Sequence, residues 1–245
     1  MIMIIIIFIT IHWYLSLFFH SFFHHRYAAH QQFSMSRSWE KFFFIGSFVT
    51  QGSSYISPYA YGMMHRLHHI HTDTENDPHS PGNYQSFWRM MLETRNNYFS
   101  IYSGKTTVDE KLKKNLPQWK AFDRIAHNWF TRTGWMIVYT LFYIAFATAR
   151  WQYLFLPVTI IMITFQGAVV NWWAHKFGYV NYSVKNTSKN IIPVDLFFMG
   201  EAYHNNHHKY PGRPNNAHRW FEFDPGYFVL KLMHKTHIIR LNKCI

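Results

Sequence analysis

Two copies of one histidine pattern are the feature of this sequence with the clearest chemistry. The three histidines of each copy lie in the segments HRLHH and EAYHNNHH, as His65, His68 and His69 and as His204, His207 and His208. On a helix the spacing i, i+3, i+4 directs three imidazoles to one side, and residues 194–209 are predicted to form the helix of the second triplet. Imidazole is a ligand of iron, zinc, copper and nickel, so the two triplets predict the walls of a metal site. The chain has 18 histidines in 245 residues, which makes chance a weak explanation for both triplets.

Three more histidines and one asparagine extend this predicted site. His20 and His25 lie at the end of the first apolar segment, and His175 lies one helical turn after Asn171 in NWWAH. The predicted ligands are nine histidines: His20, His25, His65, His68, His69, His175, His204, His207 and His208. One ion accepts fewer, about four for zinc and about six for iron, so we predict two ions, with Asn171 holding a water at a remaining position. His30 is left outside this set as a structural residue.

Acidic residues follow the first triplet closely, at Asp73, Glu75 and Asp77. A metal-bound imidazole usually donates its second N–H to a carboxylate or a carbonyl group. One or two of these three residues are therefore predicted to orient ligands, although solvated loop charges fit the sequence equally well. No catalytic residue beyond the metal ligands is predicted, and no organic cofactor.

Long uncharged segments indicate a membrane protein. Residues 1–19 contain no charged side chain, and residues 133–149 and 153–173 are predicted to form a helical hairpin. Each of the three is long enough to cross the hydrocarbon core of a bilayer. Residues 42–61 are apolar but interrupted by polar side chains. We predict an interfacial or re-entrant helix there, because a full crossing would put His20 and His65 on opposite faces.

The predicted fold class is therefore all-α, with about three spanning helices, one interfacial helix and a helical cap. The cap comprises residues 62–132 and 174–245 and holds most of the histidines, and the whole chain, 1–245, is predicted to be one domain. Nearly all lysines and arginines fall on the histidine side. The positive-inside rule then predicts an integral membrane protein with its site on the cytoplasmic side and its amino terminus outside.

The charge balance is basic, with 24 Lys and Arg against 12 Asp and Glu and a formal net charge of +12. Such a surface suits anionic lipid, an anionic substrate head group or an acidic redox partner. The charge run at residues 110–115, EKLKKN, is either a solvated face or a docking surface for something anionic. The membrane segments argue against nucleic acid as a partner. The single cysteine, Cys244, has no predicted role and cannot by itself supply an iron–sulfur cluster.

Taken together, four segments resemble the histidine boxes of membrane fatty-acid desaturases, and most of all those of the stearoyl-CoA (Δ9) desaturases. The segments are HSFFHH, HRLHH followed by TDTENDPHSP, NWWAH, and GEAYHNNHH. The resemblance extends over nearly the whole chain, to about Trp220. It implies that the nine histidines bind two iron ions and that Asn171 contacts one of them through water. It also implies that the irons activate O2, which removes a hydrogen from each of two adjacent methylenes. The acyl chain would lie in a bent, closed tunnel and gain a cis double bond at a Δ9-type position.

The sequence departs from the better-known members of that family in two respects. Those members have four spanning helices, whereas a single apolar segment precedes His20 here, so we expect the first of the four to be missing. The heme-binding motif HPGG is absent from these residues. We therefore expect electrons to come from a separate donor of the ferredoxin, rubredoxin or cytochrome b5 type, which the basic cap could dock. The expected substrate is a long-chain acyl-CoA or acyl-lipid.

Other functions fit parts of the same pattern. A di-iron membrane hydroxylase of a lipid or carotenoid would use the same ligands and share the first hydrogen abstraction, but the DPHSP and GEAYHNNHH contexts favour a desaturase. A bis-histidine heme carrier needs histidines inside facing membrane helices, and a metal transporter needs ligands along a pore. Here the histidines lie at helix ends and beyond, which disfavours both.

Overall fold

The computed structural model describes residues 2–242, and these are mostly helical. In chain order the helices are α1 (Ile2–Phe19), α2 (Arg37–Gln51), α3 (Pro58–His71), α4 (Phe87–Tyr102), α5 (Glu110–Lys113), α6 (Lys120–Ala126), α7 (Trp129–Phe146), α8 (Phe155–Ile160), α9 (Met162–Ala174), α10 (His204–Lys209) and α11 (Pro225–Lys235). Strands β1 (Phe33–Met35) and β2 (Ile239–Leu241) pair antiparallel, which the sequence did not predict. Cys244 lies outside the described residues.

The first apolar helix is longer than predicted. α1 continues without a break into a π-helix, His20–Ala29, so that the continuous helical segment Met3–Ala29 has 27 residues. Within residues 2–242 it is the one helix that is long and apolar enough to cross a membrane alone. Its carboxy-terminal end therefore carries His20, His24 and His25 directly, rather than through a loop.

The predicted hairpin has an unexpected shape. α7 forms its first arm, but the second arm, predicted as one helix over residues 153–173, is divided into a 3-10 turn, α8 and α9. The segments Arg150–Ile160 and Met162–Ala174 meet at an angle of 80°, and among the described residues they form the second candidate span. Pro157 lacks the N–H that would bond one turn back, which favours an irregular helix there. Three crossings therefore remain a prediction.

The segment predicted as one interfacial helix, residues 42–61, is two helices joined by a turn. α2 ends at Gly52, whose φ of 52° lies in the left-handed region that favours glycine. α3 begins at Pro58, whose fixed φ suits the first turn of a helix. The turn reorients the chain, so α3 leaves α2 and packs against the π-helix.

Close approach of α3 to the π-helix brings the first two histidine segments together. A Cβ on Gly62 would lie 2.5 Å from Leu116 and 3.6 Å from the backbone of Ala28, so only glycine fits without displacement. The guanidinium of Arg66 donates to the carbonyl oxygens of Ala28 and Ala29, both at 2.8 Å. These carbonyls end the π-helix, and Arg66 supplies partners that they would otherwise lack.

On its other side the π-helix packs into an aromatic core. Phe22 and Phe23 are buried against Phe33, Phe43 and Phe44, and Leu230 of α11 and Ile239 of β2 complete the cluster. The rings of Phe22 and Phe43 stack with centroids 4.6 Å apart. Such pairs add about 0.5–1.5 kcal/mol beyond the area they bury. The core therefore holds the π-helix between α2 and the carboxy-terminal segment.

The second histidine triplet lies on a shorter helix than predicted. The sequence suggested a helix over residues 194–209, but α10 comprises only His204–Lys209. The carboxylate of Asp195 instead accepts hydrogen bonds from the backbone N–H groups of Phe198, Gly200 and Ala202, which folds the preceding segment into turns. Local side-chain bonding of this kind competes with helix formation.

Candidate metal centre

His25 of the π-helix, His30 directly after its last residue and three histidines of α3 and α10 converge in what we call the five-histidine group. It consists of His25, His30, His65, His69 and His207. The Nε2 atom of His25 lies 3.1 Å from that of His207, and the Nε2 atom of His30 lies 2.9 Å from that of His65. His69 Nε2 is 3.0 Å from His65 Nε2 and 2.9 Å from His207 Nε2.

The π-helical backbone explains how His25 and His30 reach the same group. The N–H of His30 bonds to the carbonyl oxygen of His25 at 3.1 Å, an i to i+5 bond. A π-helix is wider than an α-helix, so residues five apart project to one side of it. Such local widenings are frequent at functional sites.

A second set, the four-histidine group, lies beside the first and consists of His68, His175, His204 and His208. The Nε2 atom of His204 lies 3.1 Å from that of His175 and 3.0 Å from that of His208. His68 Nε2 is 3.3 Å from His208 Nε2. α3 and α10 thus contribute imidazoles from within the helix, and His175 directly follows the last residue of α9.

Three carboxylates fix the ring nitrogens that face away from the two groups. Glu201 lies 2.6 Å from His25 Nδ1, and both oxygens of Asp77 lie 2.9 Å from His68 Nδ1. His175 Nδ1 lies 3.4 Å from Asp73 and 3.1 Å from the hydroxyl of Thr187, which itself donates to Asp73. An ionised carboxylate accepts but does not donate, so it favours the tautomer in which Nδ1 carries the proton and Nε2 keeps a bare lone pair. Asp73 and Asp77 thus contact histidines of the four-histidine group, whereas Glu75 is exposed.

This geometry fits metal ions and fits an internal hydrogen-bond network poorly. Two ligands about 2.1 Å from one ion and at right angles to each other are about 3.0 Å apart, which matches the separations between Nε2 atoms. In that tautomer the Nε2 lone pairs of His25, His68 and His175 point at other imidazoles. In metal sites, a carboxylate commonly accepts the N–H of the ring nitrogen that does not bind the metal. Nine imidazoles without thiolate suit iron, copper or zinc.

Burial keeps the three imidazoles of α10 in the neutral form that binds metal. The pKa values of His204, His207 and His208 lie well below the ordinary value because burial disfavours the charged ring, and neighbouring imidazoles add repulsion. For Asp73, burial alone would raise the pKa, but hydrogen bonds from His175 and Thr187 outweigh it and hold the pKa below its usual range. Asp73 is therefore ionised at neutral pH.

The structure does not bring His20 into either group, and it brings in His30, which the sequence analysis had left out. The ring of His20 packs against His24 and Tyr61, at centroid distances of 5.2 Å and 4.6 Å. His20 lies one turn nearer to α1 than His25, which puts its ring in the wall of the cavity described below. The segment HSFFHHRYAAH contains two pairs of histidines five residues apart, and the second pair is the one that converges.

Two more residues at the site were missed. Glu201 precedes the second triplet by three residues, and only its position in the folded chain reveals its contact with His25. His79 is 2% exposed, its ring lies 4.2 Å from that of His68, and neither of its nitrogens has a hydrogen-bond partner among the described residues. His79, His68 and Asp77 also lie close enough together to form a third cluster of possible ligands.

An apolar cavity leads to the two groups. Its volume is about 290 Å³, and His25, His65 and His204 of the two groups line it, as does Asn171. Most of its wall is aliphatic or thioether, including Met64, Met90, Ile163 and Val170. Arg95 and Arg132 also line it. The cavity therefore suits a long apolar chain whose methylenes approach the imidazole nitrogens.

Buried asparagines hold α10 in place beside this cavity. Asn206 donates to Glu222 at 2.8 Å, and Asn205 donates to the carbonyl oxygens of Tyr182 and Ser188 at 3.0 Å and 3.2 Å. The two asparagines between the histidines of HNNHH thus point away from the metal groups and anchor the helix from behind. Their bonds explain how a helix of six residues can position three ligands.

Comparison with known proteins agrees with this architecture. The sequence model of the family described as "Fatty acid desaturase" matches residues 1–220. The chain is 26% identical to Delta-9 acyl-lipid desaturase 1 of Arabidopsis thaliana, over 86% of this chain and 66% of that protein. It is 26% identical to the sn-1 stearoyl-lipid 9-desaturase of Anabaena variabilis, over 85% of this chain and 72% of that protein. It is 28% identical to the Icosanoyl-CoA 5-desaturase of Limnanthes douglasii, over 85% of this chain and 56% of that protein. The match to the family covers all the helices that carry the converging histidines, and the chain belongs to the fatty acid desaturase family.

Proposed function

We propose that this protein is an oxygen-dependent fatty acyl desaturase with a di-iron centre, which introduces a cis double bond into a saturated long-chain acyl substrate. Desaturases are oxidoreductases, and the chain belongs to that class of enzyme. The observation that carries the proposal is the convergence of nine Nε2 atoms at the inner end of an apolar cavity. A cavity lined by methylene and thioether groups selects an acyl chain, and the histidines mark where it reacts.

In this proposal the five-histidine group holds one iron and the four-histidine group holds the other. Asn171 holds a water at the four-histidine iron, as expected from the sequence, and its place in the wall of the cavity that His204 also lines supports that role. The bound irons would supply the activation of O2 and the abstraction of hydrogen from unactivated C–H bonds. The proposed ligand set retains eight of the nine histidines expected from the sequence and replaces His20 by His30.

The protein's own residues would orient, shield and tune this chemistry. Glu201, Asp77 and Asp73 hold a proton on three Nδ1 atoms, which keeps the opposite nitrogens available as ligands. The apolar wall excludes water from the methylenes and holds them in one orientation. Overall, one O2, two electrons and two protons are consumed as two hydrogens leave adjacent carbons, and two waters form.

Two finer features of the proposal come from the relatives. Names of the similar proteins include a stearoyl-lipid 9-desaturase and an icosanoyl-CoA 5-desaturase. We propose a Δ9-type position, since two of the three similar proteins described above carry that position in their names. We also propose an acyl-lipid or acyl-CoA substrate. O2 is the co-substrate, and a separate ferredoxin, rubredoxin or cytochrome b5 type protein is the electron donor.

We further propose that the whole chain is one integral membrane domain with its site on the cytoplasmic side. The apolar segment Met3–Ala29 supports membrane insertion, and the basic residues around the histidines support a cytoplasmic location. The sequons at Asn181 and Asn186 test this directly. In a eukaryotic host they should remain unmodified, whereas glycosylation at either one would contradict the topology.

Fatty-acid profiling in a host that lacks its own desaturase tests the reaction, the position and the chain length together. Expression of the wild-type chain should yield a new monounsaturated acid, and His207→Ala should abolish it while the protein still accumulates in membranes. A hydroxy acid without a new olefin would favour the alternative, a di-iron hydroxylase. No new product in cells supplied with iron and oxygen would refute both.

A further inference from the structure

We propose that a basic groove beside His30 is the docking site of an acidic one-electron carrier protein, and that electrons enter the metal centre at the exposed edge of His30. This inference rests on the proposed function, because desaturation consumes two external electrons for each double bond. It adds to that function the location of the docking site, the acidic character of the electron donor and the residue at which electrons enter.

The groove is separate from the acyl cavity. Its volume is about 410 Å³, and its lining comprises Ala29, His30, Gln31, Arg66, Lys111, Lys114, Asn115, Pro211 and Gly212. None of these residues lines the apolar cavity. The substrate and the electron donor could therefore occupy the enzyme at the same time, from different sides of the histidines.

The lining of the groove carries basic side chains and no acidic ones. Three of its lining residues are Arg66, Lys111 and Lys114. Lys111 and Lys114 are exposed, and within residues 2–242 neither ammonium group forms an ion pair. Lys113, the remaining lysine of the run, is instead paired with Glu110 at 2.6 Å. The run EKLKKN thus presents two uncompensated cations to the groove, which favours an anionic partner.

Arg66 fixes these lysines next to His30. Its guanidinium donates to the carbonyl oxygens of Leu112 and Lys114, both at 2.8 Å, as well as to Ala28 and Ala29 at the end of the π-helix. One side chain therefore ties the lysine segment to the residue that precedes His30. Within the described residues Arg66 has no carboxylate partner, so its charge also contributes to the positive field of the groove.

His30 connects this surface to the metal ligands. It is partly exposed and lines the groove, whereas His25, His65 and His207 are buried. Its Nε2 lies 2.9 Å from that of His65, so the same ring contacts the groove and belongs to the five-histidine group. If a carrier protein docked in the groove, little more than the surface of the carrier would separate its redox centre from His30.

A protein partner explains the groove better than anionic lipid does. The helical segment Met3–Ala29 has 27 residues and would be about 40 Å long at 1.5 Å per residue, whereas the hydrocarbon core is about 30 Å thick. His30 follows its far end, so the groove projects beyond the acyl region of a bilayer. Lipid contact could not deliver electrons to His30.

The test compares two double charge reversals in the purified, iron-loaded enzyme. Lys111→Glu with Lys114→Glu alters the groove, and Lys231→Glu with Lys235→Glu makes the same charge change on exposed lysines of α11 that do not line it. Turnover is driven by a soluble acidic [2Fe–2S] ferredoxin, by the soluble domain of a cytochrome b5, or by dithionite, which needs no docking site.

The groove variant should lose about tenfold in kcat/KM for the preferred carrier protein, mainly through KM, and should lose salt dependence. It should keep wild-type dithionite-driven turnover, and the α11 variant should behave like wild type throughout. Equal losses in both variants, a loss with dithionite, or no effect with either carrier would overturn the proposal. The proposal would also be overturned if the wild-type enzyme turned over with dithionite but with neither of the two carrier proteins. If wild type forms no double bond with dithionite and O2, the proposed function itself fails.

Discussion

Replacing Asp77 by asparagine should selectively weaken the metal at the four-histidine group. Both carboxylate oxygens of Asp77 lie 2.9 Å from His68 Nδ1, and the side chains of both residues are fully buried. The same oxygens also accept the backbone N–H groups of Asp73, at 2.9 Å, and His79, at 3.1 Å. An amide has only one acceptor oxygen for these three donors.

In either orientation the NH2 group of the new amide would face a backbone N–H, which is also a donor. In one orientation it faces the N–H of Asp73, and in the other it faces the N–H of His79. The NH2 group would gain an acceptor if His68 moved its proton from Nδ1 to Nε2, but that change would remove the lone pair that faces His208 and would leave the backbone N–H without a partner. Loss of such an outer partner typically costs about 10–100-fold in metal affinity, and burial places this case at the upper end, about 2.7 kcal/mol.

Glu75→Gln is the matched control. Glu75 lies two residues away on the same loop, is exposed and makes no hydrogen bond among the described residues, so the same acid-to-amide change should leave metal binding intact. Purified protein would be stripped by a chelator and titrated with Co2+, with absorbance and chelator competition giving stoichiometry and affinity. Thermal unfolding would verify the fold. The reasoning is refuted if Asp77→Asn binds two ions per chain with wild-type affinity.

Three other predictions follow from the site and the cavity. His30→Ala should lose one bound ion and reduce product more than about 100-fold, whereas His20→Ala should keep two ions; the reverse result in metal analysis would restore the assignment made from sequence. Gly167→Leu should abolish conversion of long chains with metal content unchanged, because Gly167 lines the cavity and a Cβ there meets no described atom within 4 Å. Gly134→Leu, at an equally open position on α7 outside the cavity, should have no effect, and a similar loss there would point to general damage. For the metal-free protein, the lowered pKa values of His204, His207 and His208 mean that the unfolded chain binds more protons below the ordinary value of 6.5. Stability should therefore be level above about pH 7 and should fall as the pH drops below 6.5, by about 1.4 kcal/mol per pH unit for each histidine; stability that rises on acidification would contradict the burial of these rings.

Residue spacing predicted the helical triplets because a helix leaves little freedom within four residues. The first histidine box was harder to assign because His20, His25 and His30 are evenly spaced by five residues. In an α-helix that spacing points to different sides, and nothing local in the sequence indicates that the backbone widens into a π-helix there. The contacts that position this segment, such as Arg66 with Ala28 and Ala29, are distant in sequence.

The turns around the second triplet were also beyond local patterns. The helix predicted over residues 194–209 was wrong at its start because Asp195 binds three backbone N–H groups there. Glu201 was missed for a related reason. It approaches His25 only because those turns, and the buried ion pair between Arg26 and Asp224 at 3.0 Å, bring the segment to the π-helix. Hydropathy likewise could not reveal the 80° bend between α8 and α9.

The partition of each triplet between the two groups explains why the HxxHH spacing suits two ions. In α3, His65 and His69 belong to the five-histidine group and His68 to the other; in α10, His204 and His208 belong to the four-histidine group and His207 to the other. Residues i and i+4 lie about 40° apart around a helix, so they can share one ion, whereas i+3 and i+4 lie about 100° apart and diverge. Each helix therefore contributes a pair to one group and a single ligand to the neighbouring one, with the roles exchanged between α3 and α10. A rotation of either helix would disturb both groups at once, which is why the anchors behind them, Arg66 for α3 and Asn205 and Asn206 for α10, matter as much to the site as the ligands that they position.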